Sequence, residues 1–134
     1  MDVRYLELGG EERERIVREI RRALSEVGGV VFAYLHGGFV ERRFFRDVDV
    51  AVWLEDPGDR RLVEVDLPAR LEAELGIPID VRVLNEAPLP FRHHVFSRGV
   101  LLFSRDETLR VRLLDETLRM YFDLKLLNEL AGRC

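Results

Sequence analysis

The sequence predicts an α/β domain in which a small mixed β-sheet packs with helices and a long helix ends the chain. Three observations predict this class. Apolar residues recur at helical spacing in several segments, short and nearly continuous apolar runs lie between them, and glycine or proline separates one segment from the next. The resulting order is helix, strand, strand, helix, strand, helix, strand, helix. That order predicts one compact domain over residues 1–134.

The composition is typical of a globular protein and excludes several classes. Hydrophobic residues make up 47% and charged residues 34% of the chain. The net charge of −4 is opposite to that of a protein that coats nucleic acid, so we expect no direct nucleic-acid binding. No apolar run approaches the roughly 20 residues that span a bilayer, and a signal-peptide pattern is missing. We therefore expect a cytoplasmic protein that binds no membrane.

The first two elements are a helix and a buried strand. Apolar residues at helical spacing predict a helix from Glu11 to Val27, with acidic residues at its start, where the helix dipole favours negative charge. Gly28-Gly29 ends this helix. A continuous apolar run predicts a buried strand from Val30 to Leu35. The strand stops at Gly37-Gly38, which we interpret as a tight turn.

A second strand follows a charged loop. Residues Phe39 to Arg46 are predicted to form a loop or a short helical turn. The strand runs from about Val48 to Leu54, and a turn signal, Asp56-Pro57-Gly58-Asp59, follows it. Residues Arg60 to Leu75 have a helical composition.

Proline is expected to divide this helical segment. Pro68 predicts a firmer helix from Pro68 to Leu75, with Asp66 as its N-cap. A third strand is predicted from Ile79 to Leu84. Alternation places Asp80 and Arg82 on one face of it and the apolar residues on the other.

The last three elements are a short helix, a short strand and a long helix. Residues Pro88 to Arg98 predict the short helix, and Val100 to Phe103 predict the strand. The long helix is expected from Asp106 to about Leu130. It carries a broad apolar stripe: Leu109, Leu113, Leu114, Tyr121, Leu124 and Leu127. This stripe serves either core packing or the docking of a partner.

Three aspartates are candidate metal ligands. Asp47 and Asp49 open the second strand on the same side, because side chains in a strand alternate between its faces. Asp80 points away from the apolar anchors of the third strand. If these two strands are neighbours, the three carboxylates can meet and hold one or two Mg²⁺ ions. Asp80 can also act as a base toward an incoming hydroxyl group.

The glycine turn next to these aspartates is a candidate phosphate site. Gly37 and Gly38 expose backbone N–H groups that can bind phosphate oxygens. Arg42, Arg43 and Arg46 follow in the loop, and guanidinium groups bind phosphate well. These arginines either contact the nucleotide or form a solvated loop.

The arrangement resembles the signature of the DNA polymerase beta-like nucleotidyltransferases, in particular the minimal nucleotidyltransferases of prokaryotes. That family has a Gly-Ser turn after a strand, Asp-x-Asp opening the next strand, and a third Asp on a later strand. Gly37 matches the glycine, Asp47 and Asp49 match Asp-x-Asp, and Asp80 matches the third Asp.

This chain departs from the family pattern at two positions of the turn. The serine of the family is Gly38 here, which removes a hydroxyl group that would bind phosphate. Glu41 stands where the family has an arginine. The metal ligands are therefore a safer prediction than efficient catalysis.

The resemblance implies a fold, an activity and a partner. The fold is that of polymerase beta-like nucleotidyltransferases, and the activity is Mg²⁺-dependent transfer of AMP from ATP to a hydroxyl group. Small members are encoded beside a HEPN ribonuclease toxin and act as its antitoxin by adenylylating a tyrosine. The chain offers no second domain to hold an acceptor, so a partner or a second copy would supply the acceptor surface.

Two alternatives stay open from the sequence. One is a protein of the same fold whose turn has decayed through Gly38 and Glu41, and which neutralises its partner by contact alone. The other is a metal-dependent nuclease, which also uses clustered carboxylates. A nuclease would not need the phosphate turn, and it would be expected to carry a lysine near the carboxylates, which is absent here.

Overall fold

The computed structural model describes residues 5–132 and confirms the α/β class. Its regular elements are the helices α1 (Gly10–Ser25), α2 (Gly38–Glu41), α3 (Leu67–Leu75), α4 (Leu89–Arg98) and α5 (Glu107–Ala131), and the strands β1 (Val30–His36), β2 (Val48–Leu54), β3 (Ile79–Val83) and β4 (Val100–Ser104). A 3₁₀ turn (Pro57–Asp59) and a π-helical turn (Leu62–Asp66) precede α3. The predicted bounds agree with these to within one or two residues, except before α3.

The four strands form one mixed sheet in the order β3-β2-β1-β4. β1 is antiparallel to both β2 and β4, whereas β2 and β3 are parallel. The second and third strands of the chain are therefore neighbours, which is the condition on which the predicted meeting of the carboxylates depends. β3 and β4 are the two edge strands.

Helices cover both faces of the sheet. Val48, Val50 and Val52 are fully buried in the larger apolar cluster, together with residues of α1 and α3. The opposite face of β1 and β2 packs against α4 and α5 around Phe32 and Phe96. Because side chains alternate along β2, Asp49 lies on the face covered by α4 and α5, toward the N-terminal end of the strand.

The long helix α5 packs on the domain as far as Tyr121, whose ring stacks on that of His93 at 3.6 Å. Asp106 caps it by accepting a hydrogen bond from the N–H of Leu109 at 3.0 Å. Leu113 and Thr117 are its buried residues. Every residue from Phe122 to Ala131 is exposed, including Leu127 at 62%. The described helices include none that is long and apolar enough to cross a membrane.

The predicted N-cap of α3 is wrong. Asp66 has helical backbone angles and makes no capping hydrogen bond through its side chain. The π-helical turn leads directly into α3, because the buried side chains of Val63 and Leu67 hold both turns against the sheet. Pro68 lies in the first turn of α3, where its missing N–H is tolerated, and does not divide the helix.

Candidate active site

The pairing of β2 with β3 brings the three aspartates onto one face of the sheet. Asp49 and Asp80 are direct partners in the parallel register. Asp47 precedes Asp49 by two residues, so its side chain points to the same side. The predicted grouping of Asp47, Asp49 and Asp80 therefore agrees with the fold, whereas their roles remain predictions.

The Asp49 carboxyl group is partly buried beside two other carboxylates. The pKa of Asp49 is raised from 3.8 to about 7, first because burial disfavours the charged form and then because of the negative charges of Asp47 and Asp80. Below about pH 7 the Asp49 carboxyl group therefore retains its proton. Such a cluster is a favourable place for a divalent cation, since carboxylate oxygens are the donors that Mg²⁺ prefers.

The Asp80 side chain forms an ion pair with Arg82 on the same strand. Nε of Arg82 donates to Oδ2 of Asp80 at 3.0 Å, and the two side chains are 61% and 44% exposed. Within residues 5–132 no three Asp, Glu, His or Cys side chains are gathered closely enough to hold a metal ion. An exposed ion pair contributes at most about 1 kcal/mol, so a dication can displace Arg82. The carboxylates thus fit Mg²⁺ in their chemistry, and a site of three ligands requires the Asp80 side chain to rotate away from Arg82.

The glycine turn lies directly against these carboxylates. Gly37 has φ of +76°, a region that favours glycine. A Cβ atom at this position would lie 2.4 Å from Oδ2 of Asp49. Within the described part of the chain, neither Gly37 nor Gly38 donates its backbone N–H to a hydrogen bond. The turn therefore offers two free donors beside the proposed cation.

We expect Gly37→Ala to destabilise the fold by about 1–3 kcal/mol, because it combines a positive φ with a clash against Asp49. The matched control is Gly38→Ala. A Cβ at Gly38 would make an ordinary contact of 3.7 Å with Phe45, and its φ is not positive. Urea unfolding of both variants measures the difference. Equal stability of the two variants would contradict this view of the turn.

A pocket of about 230 Å³ adjoins the turn and the first two aspartates. Its lining includes five of the predicted site residues besides Asp49: Gly37, Gly38, Arg42, Arg46 and Asp47. Arg43 is not among the lining residues and instead forms an exposed ion pair with Glu7. Glu41 also lines the pocket, and Arg98 donates to its carboxylate at 3.2 Å. Two of the three predicted arginines, Arg42 and Arg46, thus line this pocket.

Arg13 of α1 supports the turn and was not found from the sequence. Its guanidinium donates to the carbonyl oxygens of Phe39 at 2.6 Å and Arg43 at 2.8 Å. It also lies 4.9 Å and 5.0 Å from the ring centroids of Phe39 and Phe45. Nothing in the sequence distinguishes it from the other arginines of α1.

His36 is a second residue at the site whose role the sequence did not assign. It pairs with Asp49 in the antiparallel register and is 7% exposed, and its Nε2 has no hydrogen-bond partner among residues 5–132. Its pKa is lowered to about 4, chiefly by burial and then by the charge of His94. The imidazole is therefore neutral at pH 7, and it packs edge-on against Phe91 at 5.4 Å.

A match to a family model shows the family to which this chain belongs. Residues 18–108, more than half of the chain, match the family model described as polymerase beta, nucleotidyltransferase. The chain belongs to this family. The matched region contains the glycine turn, Asp47, Asp49 and Asp80, so the polymerase beta-like resemblance read from those residues is confirmed. A search of curated protein sequences gives no significant match.

Solved structures with this nucleotidyltransferase fold include toxin–antitoxin complexes. A chain of the toxin–antitoxin MntA–HepT is 20% identical, with a TM-score of 0.70 over 90% of this chain and 96% of that one. A chain in the complex of the tri-AMPylated Shewanella oneidensis HEPN toxin with MNT antitoxin is 19% identical, with a TM-score of 0.69 over 90% of this chain and 96% of that one. A chain of a toxin–antitoxin with AMP-PNP is 20% identical, with a TM-score of 0.66 over 94% of this chain and 97% of that one. At these identities the likeness shows a shared fold.

Proposed function

We propose that this nucleotidyltransferase transfers AMP from ATP to a hydroxyl group, expected to be a tyrosine, of a HEPN toxin, and so acts as its antitoxin in the cytoplasm. The observation that carries the proposal is the placement of Asp47, Asp49 and Asp80 on one face beside a glycine turn with free N–H groups. The similar structures that contain a HEPN toxin, an AMPylated toxin and AMP-PNP support the choice of partner and nucleotide.

The reaction assigns a task to each part of the site. The turn and the side chains of Arg42 and Arg46 bind and orient the triphosphate. Asp80 accepts the proton of the acceptor hydroxyl, whose oxygen forms a bond to the α-phosphorus as pyrophosphate leaves. Mg²⁺, held by Asp47, Asp49 and Asp80, would neutralise charge on the phosphates.

The alternative is a protein that neutralises the toxin by contact alone. Three features favour it: Gly38 lacks the serine hydroxyl, Glu41 is paired with Arg98, and Asp80 is paired with Arg82. Incubation of the protein with its HEPN partner, ATP and Mg²⁺ separates the two functions. A mass increase of the partner by one or more AMP units supports the enzyme. A stable complex with unchanged mass favours contact alone.

We expect Gly38→Ser to raise kcat/KM for AMP transfer about tenfold. The substitution restores a hydroxyl donor for phosphate, and one such hydrogen bond contributes about 1.5 kcal/mol. The added Cβ fits, since its shortest contact is 3.7 Å. Gly38→Ala, which adds the carbon without the hydroxyl, should leave the rate unchanged. An equal effect of both variants would show that the hydroxyl is not the cause.

The exposed half of α5 is the surface that we expect to dock the partner. We call the helical segment from Phe122 to Ala131 the α5 extension. It has apolar side chains on several sides, and Phe122, Leu124, Leu126, Leu127 and Leu130 are between 38% and 67% exposed. A helical end without packing is marginal in water, so a bound partner would stabilise it. A second copy of the chain is the other occupant that the sequence allows.

A further inference from the structure

The 230 Å³ pocket beside the glycine turn, which we call the turn pocket, is lined by more acidic than basic side chains. Asp47 and Asp49 belong to the proposed cation site, and Glu41 is the third acid of the lining. Arg42 and Arg46 are its two basic residues. A triphosphate is strongly anionic, so an uncompensated Glu41 carboxylate would repel it. The turn pocket therefore needs a cation next to Glu41.

Arg98, in the last turn of α4, supplies this cation. Its Nη1 donates to Oε1 of Glu41 at 3.2 Å. Among residues 5–132 this is the one ion pair that either side chain forms. The guanidinium group of Arg98 thus lies one hydrogen bond from a residue that lines the turn pocket, although the two residues are 57 positions apart in the sequence.

The backbone around Arg98 is fixed against the end of β1. Leu35, which precedes Gly37 by two residues, pairs with Val100 in the antiparallel register. Gly99 lies so close to this strand that a Cβ atom would be 2.9 Å from the carbonyl oxygen of Leu35. This close approach, which glycine permits, places the last turn of α4 beside the glycine turn. The Arg98 side chain is 68% exposed, so it can change rotamer while the backbone stays in place.

The ion pair between Arg98 and Glu41 is easily exchanged for another. It consists of a single hydrogen bond between partly exposed side chains, and such a pair contributes little to stability. A phosphate group carries more charge than one carboxylate oxygen and matches the fork of the guanidinium group, so it competes well for the arginine. Arg98 can therefore turn from Glu41 to a phosphate without a rearrangement of α4.

We propose that Arg98 is a phosphate ligand, which Glu41 holds at the turn pocket until the nucleotide binds. The guanidinium group then contacts the terminal phosphates of ATP, whereas the α-phosphate lies at the aspartates. This inference rests on the proposed function, in which ATP is the nucleotide. It adds a binding residue from α4 to the glycine turn, Arg42 and Arg46. It also makes Glu41 a competitor of the triphosphate for Arg98.

Calorimetric titration of the full chain with AMP-PNP and Mg²⁺, in the absence of the partner, tests the proposal. We expect Arg98→Gln to raise the Kd about tenfold or more, because a charge-assisted hydrogen bond to phosphate is lost. Glu41→Gln should lower the Kd about threefold, because the competitor for Arg98 is removed. An ion pair that only supports the fold would instead give the same direction of change in both variants.

Arg22→Gln is the matched control for the loss of an exposed, paired arginine. Arg22 pairs with Glu19 on α1, and its side chain is 68% exposed, as is that of Arg98. We expect the wild-type Kd for this variant. A wild-type Kd of Arg98→Gln would overturn the proposal. So would a higher Kd in both Arg98→Gln and Glu41→Gln, because the pair would then be purely structural.

AMP is a second probe, which also shows whether the Arg98 variant keeps an intact site. It carries only the phosphate that lies at the aspartates, so Arg98→Gln should leave the Kd of AMP unchanged. An equal loss of affinity for AMP and AMP-PNP would overturn the contact with the terminal phosphates.

Incubation of the wild-type protein with its HEPN partner, ATP and Mg²⁺ separates this proposal from the proposed function. AMP transfer together with an unchanged Kd of Arg98→Gln rejects the role of Arg98 and keeps the enzyme. A raised Kd of Arg98→Gln without transfer rejects the enzyme and keeps Arg98 as a nucleotide ligand. A wild-type protein that does not bind AMP-PNP would overturn both.

Discussion

Asp49→Asn is expected to abolish AMP transfer and at the same time to stabilise the metal-free protein. The loss should be about 10³-fold or more, because one ligand of the proposed Mg²⁺ site loses its charge, an effect of roughly 4 kcal/mol. The metal-free protein gains stability because the wild-type Asp49 carboxylate is partly buried beside two others. We expect about 1–2 kcal/mol, or about 5 °C in Tm, a value reduced for the partial exposure of the group.

The stability gain should depend on pH in a defined direction. Folding raises the pKa of Asp49 from 3.8 to about 7, so the folded state binds more protons than the unfolded state between these values. Wild-type stability therefore falls as the pH rises from about 4 to 7, whereas the Asn variant lacks this loss. Thermal unfolding in EDTA at pH 5 and pH 8 measures the difference, which should be larger at pH 8.

Asp115→Asn is the matched control for charge removal. Asp115 is exposed on α5 and, among the residues that the structure describes, forms an ion pair with Arg119 alone. The Asp115→Asn substitution should leave both the Tm and the rate of AMP transfer almost unchanged. If Asp49→Asn instead lowers Tm as much as an ordinary buried polar change, the burial of the Asp49 charge beside two carboxylates is not the dominant effect at this residue.

Phe122→Asp combined with Leu127→Asp is expected to weaken binding of the HEPN partner at least 100-fold. These two side chains are 67% and 62% exposed in the α5 extension. Charge on apolar anchors of an interface costs about 2–4 kcal/mol. Calorimetric titration of the partner measures Kd, and circular dichroism of the free variant shows that the domain is folded.

Val111→Asp is the control for this pair. Val111 is also apolar and 51% exposed, but it lies in the first half of α5. We expect wild-type affinity for this variant. Wild-type affinity of the double variant would place the docking surface elsewhere on the domain.

Local sequence patterns were sufficient to predict most elements of the fold. β2 was predicted with its bounds, because three fully buried valines alternate with the residues that face α4 and α5. The π-helical turn before α3 could not be predicted, since only the tertiary contact of Val63 with the core selects it over an N-cap at Asp66. The sequence also does not show where α5 leaves the domain, because this depends on the size of the sheet beneath it.

The candidate site was predictable where residues are close in sequence. The shared face of Asp47 and Asp49 follows from alternation along one strand. The position of Asp80 needed the pairing of β2 with β3, a long-range choice that no local pattern specifies. The support of the turn by Arg13 is a contact across 26 residues and more, so it appears only in the folded chain.

The most direct test is a crystal structure with Mn²⁺ in place of Mg²⁺ and with AMP-PNP, in which anomalous scattering locates the metal. The proposed function predicts that the metal lies within coordination distance of Asp47, Asp49 and Asp80. It also predicts that the ion pair between Arg82 and Asp80 is broken. It also predicts the triphosphate against the N–H groups of Gly37 and Gly38. Metal away from these aspartates, or Asp80 still bound to Arg82 in the loaded protein, would contradict the central claim.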